Sequence, residues 1–388
     1  MTDQDAITGL SWSPDDAQFQ DDPADYYRWL RDKAPVHEHA PSGSFFLSRF
    51  EDVWQATEDW RTFSSESPVA KLKHMASSDP PVHDRLRASV ARHFAPRRIA
   101  ELAPQIRGVV DALLEPLEGE PAFDLVERLW DAHQPVDHET RETGSEALDE
   151  PMRRIALGIG AAQGANELGR LMNELSDLTI RVVESDPPPA TPGLIQALQS
   201  EPGDASRGEP LYDDELCGVC SNLVLAGTDT VTNLVGNGVV LLARHPEARA
   251  KLVANPSRIP NAVEEMLRFE SPVQSLGRRL TRDVTFHGVR LPAGREVRLQ
   301  WGAANRDERE FSQPNVFDID RRIRRHLALG HGTHFCLGAG LARLEARIAL
   351  EALLERWPEL PVDESQLERL PSLWVRAWER IVFAPGRT

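Results

Sequence analysis

The residue types best suited to chemistry lie in one short run, Leu329-Gly330-His331-Gly332-Thr333-His334-Phe335-Cys336-Leu337-Gly338. It is a glycine-rich loop that ends in a lone cysteine. Beyond Gly338 the apolar residues Leu341, Leu344, Ile348 and Leu353 recur at helical spacing, and Pro358 closes the run. Cys336 is thus placed at or just before a helix N-terminus. Free backbone N–H groups and the positive end of the helix dipole favour an anion there. A thiolate is the expected species, and a thiolate is a good metal ligand. Gly330, Gly332 and Gly338 remove side chains where a flat ligand needs close approach to the backbone. Two other readings stand beside this one. His331, His334 and Cys336 could be three zinc ligands, although no convincing fourth ligand or second cysteine pair lies nearby. The cysteine could also be a buried structural residue after a glycine turn.

A second candidate group is Ala226-Gly227-Thr228-Asp229-Thr230, which interrupts the apolar centre of a long predicted helix. That helix opens near Tyr212-Asp213-Asp214-Glu215, with acids in its first turn, and runs to about Arg244, where His245-Pro246 ends it. An acid inside an apolar helix is costly unless it has a role. A capped kink with one satisfied aspartate is the structural alternative to such a role. Cys217 and Cys220 lie on the same helix and read as small core residues.

Asp79-Pro80-Pro81 reads as a helix start with proline just inside. His83 and Arg87 then fall four apart, on one face. Such polar pairs are common on exposed helices, but arginine offers an anion a bidentate, permanently charged donor. Pro260 starts a short helix carrying Glu265 and Arg268, an i,i+3 pair that is the weakest of these signals alone.

The remaining elements follow from period and punctuation. Ser44 to Phe50 reads as a strand and Glu51 to Trp60 as a short helix. Ser64 to Ser78 is irregular and carries Pro68, Lys71 and Lys73. Ile99 to Leu117 reads as an amphipathic helix, while Trp130 to Pro151 turns polar with no clean period. Gly158-Ile159-Gly160-Ala161-Ala162-Gln163-Gly164 has the wrong spacing for a dinucleotide loop, and no strand precedes it. Ser185 to Pro210 is rich in Pro, Ser and Gly and reads as loop. Val284 to Val289 and Glu296 to Gln300 read as strands about a Pro292-Ala293-Gly294 turn, and Leu370 to Ala384 as a hairpin.

The 388-residue chain is long enough for a large core, and its net charge of −17 argues against non-specific nucleic-acid binding. The polar, acidic start predicts neither a signal peptide nor an anchor helix. No uninterrupted apolar run reaches the ~18 residues that a membrane span needs. Three cysteines make no disulfide framework, so a cytoplasmic location is expected.

Taken together, these motifs resemble the cytochrome P-450 family of haem-thiolate monooxygenases. The family loop is Phe-x-x-Gly-x-x-x-Cys-x-Gly; here it is Leu329-x-x-Gly332-x-x-x-Cys336-x-Gly338, with Leu in place of Phe. That departure bears on the redox tuning of the iron more than on haem binding. Asp-Pro-Pro-x-His83-x-x-x-Arg87 matches the segment that reaches a haem propionate. Arg278 falls where a second propionate-binding arginine is expected, with Arg279 as a competitor should the register slip by one, and His334 matches a third contact. Ala226-Gly227-x-Asp229-Thr230 matches the oxygen-activation signature. There the small residues leave room for dioxygen, and the acid and hydroxyl deliver protons. Trp301 to Asp307 matches the family's Ala-Asn-Arg-Asp stretch. Glu265 and Arg268 match a structural salt-bridge centre often completed by an arginine in a Pro-x-Arg-Phe segment. Here that segment is Pro314-Asn315-Val316-Phe317, so the third member is expected to be missing.

The resemblance covers roughly Asp79 to the C-terminus, with a gap from about Trp130 to Gly208. It implies one mainly α haem-thiolate domain over residues 1–388. Small β-rich parts are expected near 35–50, 284–300 and 370–385. A long central helix would lie over the haem and the thiolate loop beneath it. The size and lack of an anchor suggest a soluble bacterial type. The implied cofactor is haem b, ligated by Cys336 with Gly338 close by. The implied reaction inserts one oxygen atom from O2 into an apolar small molecule. Leu223, Val224, Val273, Leu276 and Trp374 are the candidate pocket wall. Electrons would come from a 2Fe-2S ferredoxin and an NAD(P)H-dependent ferredoxin reductase, because the chain carries no flavin or nicotinamide motif. The basic run Arg321, Arg322, Arg324 and Arg325, with Arg97 and Arg98, could dock the acidic ferredoxin; a solvated charge run is the alternative. Two other classes stay open: a haem enzyme that uses peroxide or inserts no oxygen, and a non-catalytic haem sensor.

Overall fold

The computed structural model describes residues 17–40, 42–66, 72–129, 154–155, 158–159, 162, 165–183, 213–372 and 374–386. The expectations for Pro68 and Lys71, for 130–151, for Gly160 and Gly164, for 185–210 and for Leu373 lie outside these residues, as does the side chain of Val224. The described helices with defined ends are, in order, α1 (Ala17–Asp21), α2 (Ala24–Lys33), α3 (Phe50–Glu58), α4 (Val82–Ala91), α5 (Pro96–Glu101), α6 (Ala103–Leu114), α7 (Ala165–Val183), α8 (Asp213–Arg244), α9 (Pro246–Ala254), α10 (Ile259–Phe269), α11 (Trp301–Ala304) and α12 (Ala339–Arg356). The strands are β1 (Val36–His39), β2 (Ser44–Leu47), β3 (Phe63–Ser64), β4 (Phe123–Asp124), β5 (Ser275–Leu280), β6 (Val284–Phe286), β7 (Val289–Leu291), β8 (Glu296–Gln300), β9 (Glu368–Arg369), β10 (Trp378–Arg380) and β11 (Val382–Phe383). The chain is therefore mainly α with a small β region. Among the described residues, no helix is long and apolar enough to cross a membrane.

The main core forms where α8, α10 and α12 meet. Val239, Leu242, Met266, Leu350 and Leu353 are fully buried there. Burying a side chain of this size contributes about 1.5–3 kcal/mol, so the three helices make a rigid spine. A second core lies against a five-stranded sheet of order β1-β2-β8-β5-β3, where Phe45, Leu47, Val297 and Leu299 pack on Phe50 and Val53 of α3. β5 runs antiparallel to β8, with Arg278 opposite Val297 and Arg279 opposite Glu296. This register turns Arg278 inward and leaves Arg279 exposed.

Four elements differ from the sequence expectation, the first being Val284 to Val289, which a turn at His287-Gly288 splits between the antiparallel strands β6 and β7. The run Ile99 to Leu117 is not one helix: α5 stops at Glu101 and α6 starts afresh, with Pro104 in its first turn. Proline lacks the N–H that a continued helix requires, and it suits a helix start. Gly277 to Leu280, which the sequence did not mark as a strand, is part of an interior strand of the sheet. The C-terminal run is not a simple hairpin. β9 pairs with β10, but β11 crosses to β4, with Phe383 opposite Phe123. Both residues of β11 are buried, and the Phe383 ring lies 5.3 Å from those of Phe123 and Trp357.

A buried ionic cluster ties the chain ends to this frame. Glu270 sits among Arg306, Arg369 and Arg376 at 3.6, 3.2 and 2.9 Å. Burial pushes its carboxyl upward, but the charges of Arg376, Arg369 and Arg306 prevail and hold it at about 2. Arg376 also donates to the carbonyls of Phe19 and Asp21, at 3.2 and 2.9 Å.

Candidate active site

The cysteine loop is held by its own backbone. The Cys336 N–H donates to the Leu329 carbonyl at 2.8 Å and the Gly330 N–H to the Leu327 carbonyl at 2.9 Å. Gly330 and Gly332 have φ of +68° and +65°, a region that disfavours any Cβ. A Cβ on Gly330 would also lie 3.3 Å from the His334 carbonyl oxygen and 3.5 Å from the Trp301 ring. The loop rests on α3, where the His331 ring stacks on Trp54 with centroids 3.5 Å apart and shares a hydrogen bond with Glu58 at 2.7 Å. Gly338 caps α12, so the cysteine does precede a helix start. Its ionisation differs from expectation. Burial is the largest influence and holds the thiol above its ordinary value, while the Gly338 N–H, Arg87 and Arg343 act in the other direction. A thiol that coordinates a metal ion loses its proton outright, so ligation, rather than the helix end, would supply the anion.

The structure gathers four side chains named from sequence beside this loop. The rings of His83 on α4 and His334 lie 4.4 Å apart. Arg87 is one turn along α4, and Arg278 enters from β5. Burial lowers His334 to about 3, helped by the charges of Arg278, His83 and Arg87. Burial likewise lowers Arg278 to about 10, opposed by the charge of Asp79. Arg278 donates to the Gly277 carbonyl at 2.9 Å. Among the described residues, no carboxylate comes within ion-pair distance of Arg87 or Arg278. Ser65, which sequence reasoning passed over, shares a hydrogen bond with His334 at 3.1 Å.

The second site element is the middle of α8, which continues as helix through 226–230. Residues 215–221 and 231–242 are buried, whereas Ala226 and Gly227 are exposed. The Thr230 hydroxyl donates to the Ala226 carbonyl at 2.7 Å, so its lone pairs remain free to accept. Asp229 is pushed up to about 6 by burial, and a hydrogen bond from Asn233 acts the other way. Asn233 was missed, although its i,i+4 spacing from Asp229 was a readable signal. Nearer its start, α8 meets the segment 72–78 main chain to main chain. A Cβ on Gly218 would overlap the Lys73 carbonyl, and the Ala76 N–H donates to the Asn222 side chain at 3.1 Å.

The salt-bridge centre is complete, which corrects the expectation of a missing third member. Arg268 pairs with Glu265 through two bonds of 2.7 Å, both side chains fully buried. Arg268 also donates to the carbonyls of Asn305 and Pro314 at 2.9 Å. Val316 is half exposed and takes no part through its side chain. Arg321, from the run read as a docking patch, reaches Glu265 at 3.2 Å and the Val316 carbonyl at 2.9 Å. Arg325 is engaged as well, paired with Glu310 at 2.8 Å. Arg322 and Arg324 remain exposed.

The candidate wall residues divide. Val273 bridges to Val375, and the Gln274 N–H donates to the Trp374 carbonyl at 2.7 Å, which brings Val273 and Trp374 together. Leu276 is 39% exposed and shares a strand face with Arg278. The Trp374 indole is already engaged: its N–H donates to the Ala162 carbonyl at 2.6 Å, and Arg298 lies 3.2 Å over its ring. Leu223 packs instead against the buried cluster of Met75, Leu86 and Val219.

Among the described residues, no three His, Cys, Asp or Glu side chains are placed to hold a metal ion, which leaves the zinc reading of His331, His334 and Cys336 without support. What remains is a single soft thiol donor, a cationic rim and a facing helix with small residues, which suits a flat, anionic metallocofactor. Comparison with known proteins agrees. Residues 183–375 match the cytochrome P-450 family model. The vitamin D(3) 25-hydroxylase of Pseudonocardia autotrophica is 38% identical, covering 95% of both chains. The monooxygenase PikC of Streptomyces venezuelae is 34% identical, covering 93% of both. A Bacillus megaterium family member, solved in complex with testosterone, superposes with a TM-score of 0.86 at 29% identity, covering 95% of this chain and 98% of the other. The chain belongs to the cytochrome P-450 family, whose members are monooxygenases carrying haem b. The residues present fit that group: one thiol for the iron, and two guanidinium groups, Arg278 buried and Arg87 half-buried, without an ion-paired protein carboxylate for the propionates.

Proposed function

We propose that this enzyme inserts one oxygen atom from O2 into a C–H bond of an apolar small molecule, with electrons from a 2Fe-2S ferredoxin and an NAD(P)H-dependent reductase. The observation that carries the reading is the pairing of Asp229 and Thr230 beside the exposed Ala226-Gly227 step of α8. Bound haem supplies the iron at which dioxygen is activated. Cys336 would hold that iron, and His83, Arg87, Arg278 and His334 would hold the propionates. Gly338 and the Ala226-Gly227 step would leave room for the group to approach the backbone closely. Thr230 accepts a hydrogen bond from a water, and Asp229 passes protons inward. Val273, Leu276 and Trp374 provide the apolar wall. The named hydroxylase and the testosterone complex among the relatives support an apolar, steroid-sized substrate class.

The test is a screen of apolar compounds for water displacement from ferric iron, read in the visible spectrum, followed by turnover. A product carrying one oxygen-18 atom from labelled O2 in the presence of ferredoxin and reductase supports the reading. Turnover with peroxide alone overturns it in favour of a peroxide enzyme. Tight binding without turnover under any reductant favours a sensor.

The docking surface follows from the charge inventory. Arg97 and Arg98 share Glu101 at 3.3 and 3.2 Å, and Arg321 and Arg325 are engaged inside the fold. Arg322 and Arg324 are therefore the residues that present charge to a partner. Arg322→Glu with Arg324→Glu should weaken ferredoxin affinity several-fold at low salt, with the difference fading as salt rises. Equal affinity at low ionic strength would remove this surface.

A further inference from the structure

Glu264 stands on α10 immediately before Glu265, yet it belongs to a different network. Its carboxylate accepts Arg343 Nε at 2.6 Å and Arg343 Nη2 at 3.1 Å, and it meets His326 Nε2 at 3.1 Å. His326 Nδ1 accepts the Ala328 N–H at 3.2 Å, so Nε2 carries the proton and donates to Glu264. His326 lies ten residues before Cys336 and Arg343 seven after it. One carboxylate thus ties the chain entering the cysteine loop to the helix leaving it. Arg343 also folds back toward the loop: its Nη1 donates to the Ala339 carbonyl at 3.4 Å, and the Ala339 N–H meets the Cys336 carbonyl at 3.4 Å.

Two opposite charges therefore sit in one bidentate pair that is joined to Cys336 through the Ala339 backbone. A cation there draws electron density from a thiolate and favours the more reduced metal, and a carboxylate paired with that cation offsets it. We propose that the Glu264–Arg343 pair sets how strongly Cys336 donates electrons to iron, with Arg343 weakening the donation and Glu264 restoring it. Both are positioning residues that act through Cys336.

The test uses haem-loaded enzyme without substrate or redox partner, so its outcome is independent of the proposed reaction. The reduction potential is measured by spectroelectrochemical titration, and the ferrous–carbon monoxide spectrum reports thiolate ligation. Glu264→Gln should shift the potential upward and Arg343→Gln downward. The double variant should return close to the parent, and Arg343→Lys should stay near it. All four should keep the thiolate-type spectrum. Single variants that shift in the same direction, or not at all, overturn the proposal. Loss of the thiolate-type spectrum in Glu264→Gln, or in Arg343→Lys where Arg343→Gln does not fold, also overturns it, because the pair would then hold loop geometry rather than tune donation.

Discussion

Asp229→Asn should lower product formation by about a hundredfold or more, the usual scale for loss of a positioned proton donor, while spectral binding of substrate is retained. Asparagine matches the shape of aspartate and can keep the contact with Asn233, so the helix has no reason to change. The pH profile separates chemistry from damage. Asp229 is raised to about 6 by burial. As the relay acid it carries its proton below that pH and must first regain one above it, so the parent rate should fall as pH rises through about 6. The variant should show no such limb. Stability has a defined sign too. A carboxyl raised in the folded state favours folding at acid pH, and that contribution is lost as pH rises through the folded value. A neutral asparagine escapes that loss, so the variant should be at least as stable as the parent at pH 8. A variant within threefold of the parent rate, with an unchanged profile, removes Asp229 from the relay.

Glu265→Ala should cost about 3–5 kcal/mol, the scale for breaking a buried ion pair. It leaves the buried Arg268 and the largely buried Arg321 without their shared counter-charge, and the Asp318 N–H without its 2.9 Å acceptor. Arg321→Ala should cost less, about 1–3 kcal/mol, because it removes charged hydrogen bonds but leaves Arg268 paired with Glu265. Urea unfolding midpoints of the holoenzyme read both. A loss below about 1 kcal/mol for Glu265→Ala would mean that solvent enters the cluster and compensates the charges, against the burial observed here.

The features legible in the sequence are those written in local spacing. Helix period and a proline stop placed α12, and a glycine turn placed Cys336 before it. The i,i+3 and i,i+4 rules put Glu265 with Arg268 and His83 with Arg87. Features assembled by long-range folding stayed hidden. Arg321 reaches Glu265 across 56 residues, and Arg343 reaches Glu264 across 79. No local rule marks either as a partner. The third arginine thus enters from another point in the chain while Val316 holds the expected place. The choice between Arg278 and Arg279 needed the sheet register, because neighbouring strand residues face opposite sides. The state of Cys336 needed burial, which the helix start alone does not reveal.

Gly218 carries a consequence for how the backbones of α8 and residues 72–78 part. Because even a methyl group there would collide with the Lys73 carbonyl, no side chain stands between the two backbones to swing aside. Parting residues 72–78 from α8 would break the Ala76–Asn222 bond and uncover Met75 together, so this border holds or opens as one piece.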